Sequence, residues 1–184
     1  MVVSYNPRTV SLSRMLRLQV QSMIRARYHE ITNGGTGMSE HAYRELWNKA
    51  LEIPKDCFDR FSQILLVDLT IRKEDLARNG NFIFSTKYEA CANIVDVPMV
   101  PDGKICMRYI AFVQLGEMFL ENSVDVCSKH FAENEVGLVV QEGFHLPVQH
   151  DVHLRSKGID LAGSRYGEGY APYIEWFSSH NPRF

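Results

Sequence analysis

Ile64-Leu65-Leu66-Val67-Asp68-Leu69-Thr70-Ile71 is the stretch on which the fold turns. It is apolar except at Asp68 and Thr70, rich in β-branched residues, and too short for a helix. That composition predicts a buried strand. What lies on either side of it differs in kind. Before it, apolar residues recur every three or four positions. After it come short apolar runs separated by Gly and Pro.

Upstream, Pro7 keeps residues 1–10 extended, and Ser11 or Ser13 offers a cap for a first helix. Leu12, Met15, Leu16, Val20, Met23 and Ile24 form one apolar stripe, and Arg14, Arg17, Arg25 and Arg27 fall largely off it. This helix is expected to run to the Asn33-Gly34-Gly35-Thr36-Gly37 cluster, read as a flexible joint. The cluster has no Lys-Ser/Thr after it and no strand before it, so it lacks the pattern of a phosphate loop. Ser39 caps a second predicted helix with Ala42, Tyr43, Leu46, Trp47, Ala50 and Leu51 on its apolar face. Pro54 ends that helix, and Phe58 and Phe61 continue in a short helical piece.

Downstream, Arg72 to Arg78 reads as a short charged helical turn closed by Asn79-Gly80. Asn81 to Ser85 reads as a strand, Tyr88 to Val95 as helical, and Pro98 to Gly103 as a loop. Lys104 to Leu115 is the longest strand candidate. Both of its faces are largely apolar, which predicts a central position in a sheet. Residues 117–131 are ambiguous between helix and strand. Val136 to Val140, Val152 to Leu154, Ile159 to Ala162 and Tyr170 to Phe177 read as short strands, with a turn at Gly143. Helices first and strands later predict an α+β fold, N-terminal helices packed on a mixed, mainly antiparallel sheet. Residues 1–33 form an extended arm and basic amphipathic helix; residues 38–184 form the α+β domain.

At 184 residues, 45% hydrophobic and 23% charged, the chain has the make-up of one folded globular unit. A net charge of −2 gives no bulk preference for nucleic acid. The charge is unevenly spread, however. Residues 1–30 carry five arginines against one carboxylate, Glu30, which points to an anionic partner near Arg14, Arg17, Arg25 and Arg27. Cys57, Cys91, Cys106 and Cys127 show no Cys-x-x-Cys spacing and are expected reduced and mostly buried. No signal peptide and no membrane-spanning window is visible.

Candidate chemistry is sparse. His145, His150 and His153 cluster with Asp151. On a strand, His150 and His153 would point to opposite faces, and the spacing fits no standard zinc site. They are expected at the surface or hydrogen-bonded, with no metal and no cofactor. Cys57 lies beside Asp56 and Asp59, which disfavour a thiolate. Cys127 and His130 have the spacing of a thiol and its base, without a marked oxyanion hole.

Two resemblances extend the reading. Phe84-Ser85-Thr86-Lys87 and Glu133-Asn134-Glu135 look like the Ser-Thr-Ser and Glu-x-Glu elements of ADP-ribosyltransferases. That likeness implies an enzyme using NAD, with Ser85 and Glu135 central and a strand-borne Arg gripping phosphates. Lys87 replaces the third residue of the first element, and the required Arg would be Arg25 or Arg27, both expected on a helix.

The second lies at the C-terminus. Pro147-Val148, Leu154-Arg155-Ser156, Tyr170-Ala171-Pro172-Tyr173, Glu175, Pro182 and Phe184 resemble the C-terminal half of tail-completion or neck proteins of long-tailed bacteriophages. The family has Asp-Thr-Gly before the Leu-Arg pair, where this chain has His150-Asp151-Val152-His153. It has Phe-Gly-Thr after the Glu, where this chain has Trp176-Phe177-Ser178. The likeness covers about forty residues. It implies a non-enzymatic virion structural protein, assembled in the host cytoplasm as a homo-oligomeric ring at the head–tail junction. Tyr170, Tyr173, Trp176 and Phe184 would join subunits and contact other virion proteins. The arginine-bearing helix would meet DNA phosphates without sequence preference, and no membrane is involved. A soluble interaction domain is the third possibility.

Overall fold

A computed structural model of the chain describes residues 11–48, 63–80, 94–96, 107–115, 122–132, 135–150, 158–166, 170–176 and 182–183. The fold is α+β, with N-terminal helices packed against small antiparallel sheets.

Helix α1 spans Leu12–Arg25 and buries Met15, Leu16, Gln19, Val20, Met23 and Ile24. This is the stripe expected from the sequence, with Gln19 added. The helix ends earlier than predicted. Arg27 adopts a left-handed conformation (φ 61°), which breaks the helical run and starts the one-turn helix α2, Tyr28–Ile31. The Asn79 side-chain amide donates to the Ala26 carbonyl left open by the break. Helix α3, Glu40–Asn48, starts where Ser39 Oγ accepts the Ala42 N–H at 3.2 Å. Tyr43 and Trp47 are buried and meet edge to face, while Ala42 and Leu46 face solvent. Ala50, Leu51, Phe58 and Phe61 lie outside the described residues.

The decisive stretch forms strand β1, Gln63–Asp68, all six residues of it buried. It is shorter than expected, because Leu69 and Thr70 turn the chain into helix α4, Lys73–Asn79, which Gly80 closes. Strand β2 is Ile94–Asp96, where the sequence pattern predicted helix. Strand β3, Arg108–Val113, pairs antiparallel with β1, Gln63 opposite Val113 and Asp68 opposite Arg108. The predicted central position for β3 is not what is observed among the described residues. There β3 has one strand partner and is half-buried over most of its length, and β1 is the deeper strand.

Of the ambiguous region, residues 122–131 are described, and they include helix α5, Val124–Ser128. Val136 to Val139 belongs to no strand, though the Leu138 carbonyl accepts the Gly163 N–H at 2.9 Å, and Val140–Gly143 is helix α6 rather than strand. Leu146–Gln149 is helix α7, with Pro147 in its first turn. The chain closes with β4 (Ile159–Asp160), β5 (Ser164–Tyr166), β6 (Tyr173–Trp176) and β7 (Pro182–Arg183). β5 pairs with β2, and β6 lies between β4 and β7, all antiparallel. Asn81 to Ser85 and Val152 to Leu154, predicted as strands, lie outside the described residues.

One hydrophobic core joins these parts. It contains Met15, Leu16 and Met23 of α1, Ile64 to Val67 of β1, Phe144 and Leu146 around α6 and α7, and Leu161 and Ile174 of the C-terminal segment. The C-terminal segment meets the segment leading into α6 across two glycines: a Cβ on Gly163 would stand 2.2 Å from the Gly137 carbonyl oxygen. Only backbone without side chains approaches that closely.

Candidate functional site

The densest polar arrangement lies at the end of β1. Asp68 is fully buried, and antiparallel register sets it opposite Arg108. Its Oδ1 accepts from the Thr70 N–H at 3.1 Å and the Thr70 hydroxyl at 2.5 Å, and Arg108 Nε lies 3.2 Å away. Its Oδ2 accepts from the Thr32 hydroxyl at 2.7 Å. Arg108 Nη2 then donates to Thr32 Oγ1, Thr70 Oγ1 and Asn33 Oδ1. Two threonine hydroxyls thus donate to the carboxylate and accept from the guanidinium. A buried charge is tolerable when it is paired and its remaining lone pairs are filled in this way.

The Asn33–Gly37 cluster is strapped to this network rather than acting as a joint. The Asn33 N–H donates to Thr70 Oγ1 and the Gly34 N–H to the Thr70 carbonyl. Gly35 and Gly37 donate to the Thr32 carbonyl, Thr36 to Asn33, and Met38 to His29. Every amide from 33 to 38 is used inside the protein. A phosphate cradle needs such amides pointing outward.

The second arrangement runs along the other edge of β1. In a strand, alternate residues direct both N–H and C=O to the same edge. β3 takes one edge; Ile64, Leu66 and Asp68 face the other. Side chains from the α6–α7 segment fill it. Gln149 accepts the Leu66 N–H at 2.9 Å and donates to the Leu66 carbonyl at 2.8 Å. Its amide therefore does what one peptide group of a neighbouring strand would do. His145 Nε2 accepts the Asp68 N–H at 3.1 Å, and its Nδ1 lies 2.9 Å from the Gln141 carbonyl. That pairing fixes the proton on Nδ1. His150 Nε2 lies 2.7 Å from the Ile64 carbonyl and 3.4 Å from Gln19 Nε2. Gln141 Nε2 donates to the carbonyls of Leu69 and Ile71. From Gln141 to His150 the partners run backwards from Ile71 to Ile64, so these side chains imitate an antiparallel strand.

The electrostatics agree with this assignment. Burial lowers the His145 pKa to about 4, against weaker opposing effects of its hydrogen bonds and of Asp68. His145 is thus neutral at physiological pH, with both ring nitrogens engaged. Tyr28 packs edge-on against it, with ring centroids 5.5 Å apart. Burial first, and then the charge of Asp68, hold the Tyr28 phenol well above its ordinary pKa. Its hydroxyl makes no hydrogen bond among the described residues.

The histidines singled out from the sequence therefore separate. His145 and His150 serve the backbone of β1, while His153 and Asp151 lie outside the described residues. Among the described residues, no group of three or more His, Cys, Asp or Glu side chains is placed to hold a metal ion. Gln141 and Gln149 were missed. Their signal is the four-residue spacing of Gln141, His145 and Gln149 in an otherwise largely apolar stretch, which puts three hydrogen-bonding groups on one side of a helical path.

The remaining sequence candidates are scattered. Arg14, Arg17 and Arg25 are exposed on α1. Arg27 lies beyond that helix and forks onto Glu30, its Nε at 2.8 Å and Nη2 at 2.5 Å from the carboxylate. Neither Arg25 nor Arg27 is on a strand. Glu135 Oε2 accepts the Ala132 N–H at 2.8 Å, and Ser85 lies outside the described residues. Cys127 is half-buried, with its sulfur 3.8 Å from the Asn122 carbonyl, and His130 is exposed. Cys57, Cys91 and Cys106 are outside the described residues.

Of the C-terminal aromatics, Tyr170 is 73% and Tyr173 39% exposed. The backbone of Trp176 pairs with Pro182; its side chain and all of Phe184 lie outside the described residues. Ile174, between the exposed tyrosine and Glu175, points into the core and is fully buried. No described helix is long and apolar enough to cross a membrane.

Compared with known proteins, the chain matches no family model, no curated protein and no solved structure.

Proposed function

We propose that this protein is a structural subunit of a tailed-phage virion, building a homo-oligomeric ring at the neck or tail through its C-terminal segment. The observation that carries the reading is the exposure of Tyr170 and Tyr173, at 73% and 39%. Large aromatics are the residues that subunit interfaces bury at their centres. These two stand on a segment whose sequence resembles the closing strand of phage neck and tail-completion proteins. The polar groups around Asp68 and along β1 serve the fold, which suits a subunit that works by packing rather than by chemistry. Other virion proteins would meet the same ring.

Light scattering and negative-stain imaging of the purified chain test this. Rings, or incorporation into a particle, are expected. Truncation after Gly167 is expected to abolish assembly. A chain that stays monomeric at high concentration and joins no particle overturns the proposal. Rings that survive the truncation overturn the role given to the C-terminal segment.

A further inference from the structure

Three buried polar atoms find no hydrogen-bond partner among the described residues: the hydroxyls of Tyr28 and Tyr43 and the indole Nε1 of Trp47. None of these residues is more than 2% exposed. Tyr43 and Trp47 stand four residues apart on one face of α3, and their ring centroids are 6.2 Å apart, edge to face. Tyr28 packs edge-on against His145, whose Nε2 accepts the Asp68 N–H. Burial raises the Tyr43 phenol well above its ordinary pKa, and the charge of Asp68 and then the phenol of Tyr28 add to the rise. The Tyr43 hydroxyl is therefore close to Asp68, Tyr28 and Trp47 together, yet bonded to none of them. The Asp68 carboxylate has a lone pair to spare, since its Oδ2 accepts only from the Thr32 hydroxyl among the bonds described.

We infer that Tyr28, Tyr43 and Trp47 form a binding site for one buried water molecule, which ties helices α2 and α3 to the Asp68 carboxylate. The chemistry of the three groups selects that ligand. An indole N–H only donates, so the ligand must accept, which excludes a metal cation. Asp68 repels an anion, and its own charge is already met by Arg108. A phenol both donates and accepts, and so does water. Buried waters typically make about three hydrogen bonds to polar groups that would otherwise go without. Here Trp47 Nε1 and one phenol donate to the water, and the water donates to the other phenol and to Asp68 Oδ2. The site lies within a single chain, so it stands whether or not the ring forms.

Substitution by phenylalanine tests the site through the sign of its effect. A buried hydroxyl without a partner destabilises the fold, so its removal raises the urea midpoint. A hydroxyl bonded to a held water stabilises the fold, so its removal lowers the midpoint. Tyr28→Phe and Tyr43→Phe should each lower it, by roughly 0.5 M. Because both hydroxyls hold the same molecule, the double variant should lower it by less than the sum of the two shifts. A crystal structure that shows ordered solvent should place one water within about 3.2 Å of Trp47 Nε1 and of both phenol oxygens. Three results overturn the inference: a midpoint raised or unmoved by either single substitution, additive shifts in the double variant, or a crystal structure in which these three groups share no water.

Discussion

β1 and β6 are both short strands that contribute to the same core, and they treat their surroundings in opposite ways. β1 buries all six residues and has both edges filled, one by β3 and the other by Gln149, His145 and His150. β6 sends Ile174 inward and leaves Tyr173 in solvent, with Tyr170 just before it. A strand closed on both edges offers nothing to another chain. A strand with aromatic side chains on its outer face offers apolar area. The first region spends its polar groups on holding itself together; the second keeps surface available for something else.

Substitutions in the two regions test this contrast. Asp68→Ala should cost most, about 3–5 kcal/mol, because it leaves the Arg108 guanidinium and two threonines around a missing carboxylate. Urea denaturation measures this, and a loss under about 1 kcal/mol would mean that the network is not structural. Acid comes next. His145 has a pKa near 4 in the folded protein and near 6.5 unfolded, so the unfolded chain binds the extra proton between those values. Its contribution is fully present above about pH 6.5. It falls away as the pH drops, by about 3 kcal/mol in all once the pH reaches about 4. His145→Gln should be less stable at neutral pH but should lose that part of the pH dependence; an unchanged pH profile would contradict the neutral, buried imidazole.

Gln149→Leu should cost about 2 kcal/mol, since it leaves the N–H and C=O of Leu66 buried without partners. Gln149→Glu should do no better, because a carboxylate cannot donate to the carbonyl. At the other region, Tyr170→Ser with Tyr173→Ser should move stability least, by roughly 0.5 kcal/mol, yet should disperse any assembly seen by light scattering. A large loss of stability there, with assembly intact, would make the two regions alike and erase the contrast.

Much of the first region is legible in the sequence. The apolar stripe of α1 matches its buried face because periodicity reports burial directly. Ser39 and Gly80 mark helix ends because their chemistry is local. The left-handed break at Arg27 is not legible, since it depends on contacts made elsewhere, among them Asn79 to the Ala26 carbonyl. Val136 to Val140 misled for a related reason: apolar β-branched residues suggest a paired strand, and here Val136 is exposed while Val140 is buried from a helical turn, without a ladder. The zipper from Gln141 to His150 hides because its partner is backbone, which leaves no residue pattern on the other side. In the second region, the exposed tyrosines lie within a stretch that reads as strand, and composition alone does not say which side chains face out.

The closing of β1 by side chains also bears on when the strand can form. Its pairing residues in β3 lie 40 to 50 positions further on, and the groups that fill its other edge are separated from it by 77 to 86 residues. During synthesis, Ile64 to Asp68 therefore leaves the ribosome with α1 available to pack on it but long before the groups that fill its two edges exist. Contacts so distant in sequence slow folding, and an apolar strand waiting with open edges is prone to pair wrongly. The demand on the cell is thus greatest between the emergence of residue 68 and that of residue 150. A chaperone that shelters the nascent chain across that interval should raise the yield of folded protein more than one that acts after release.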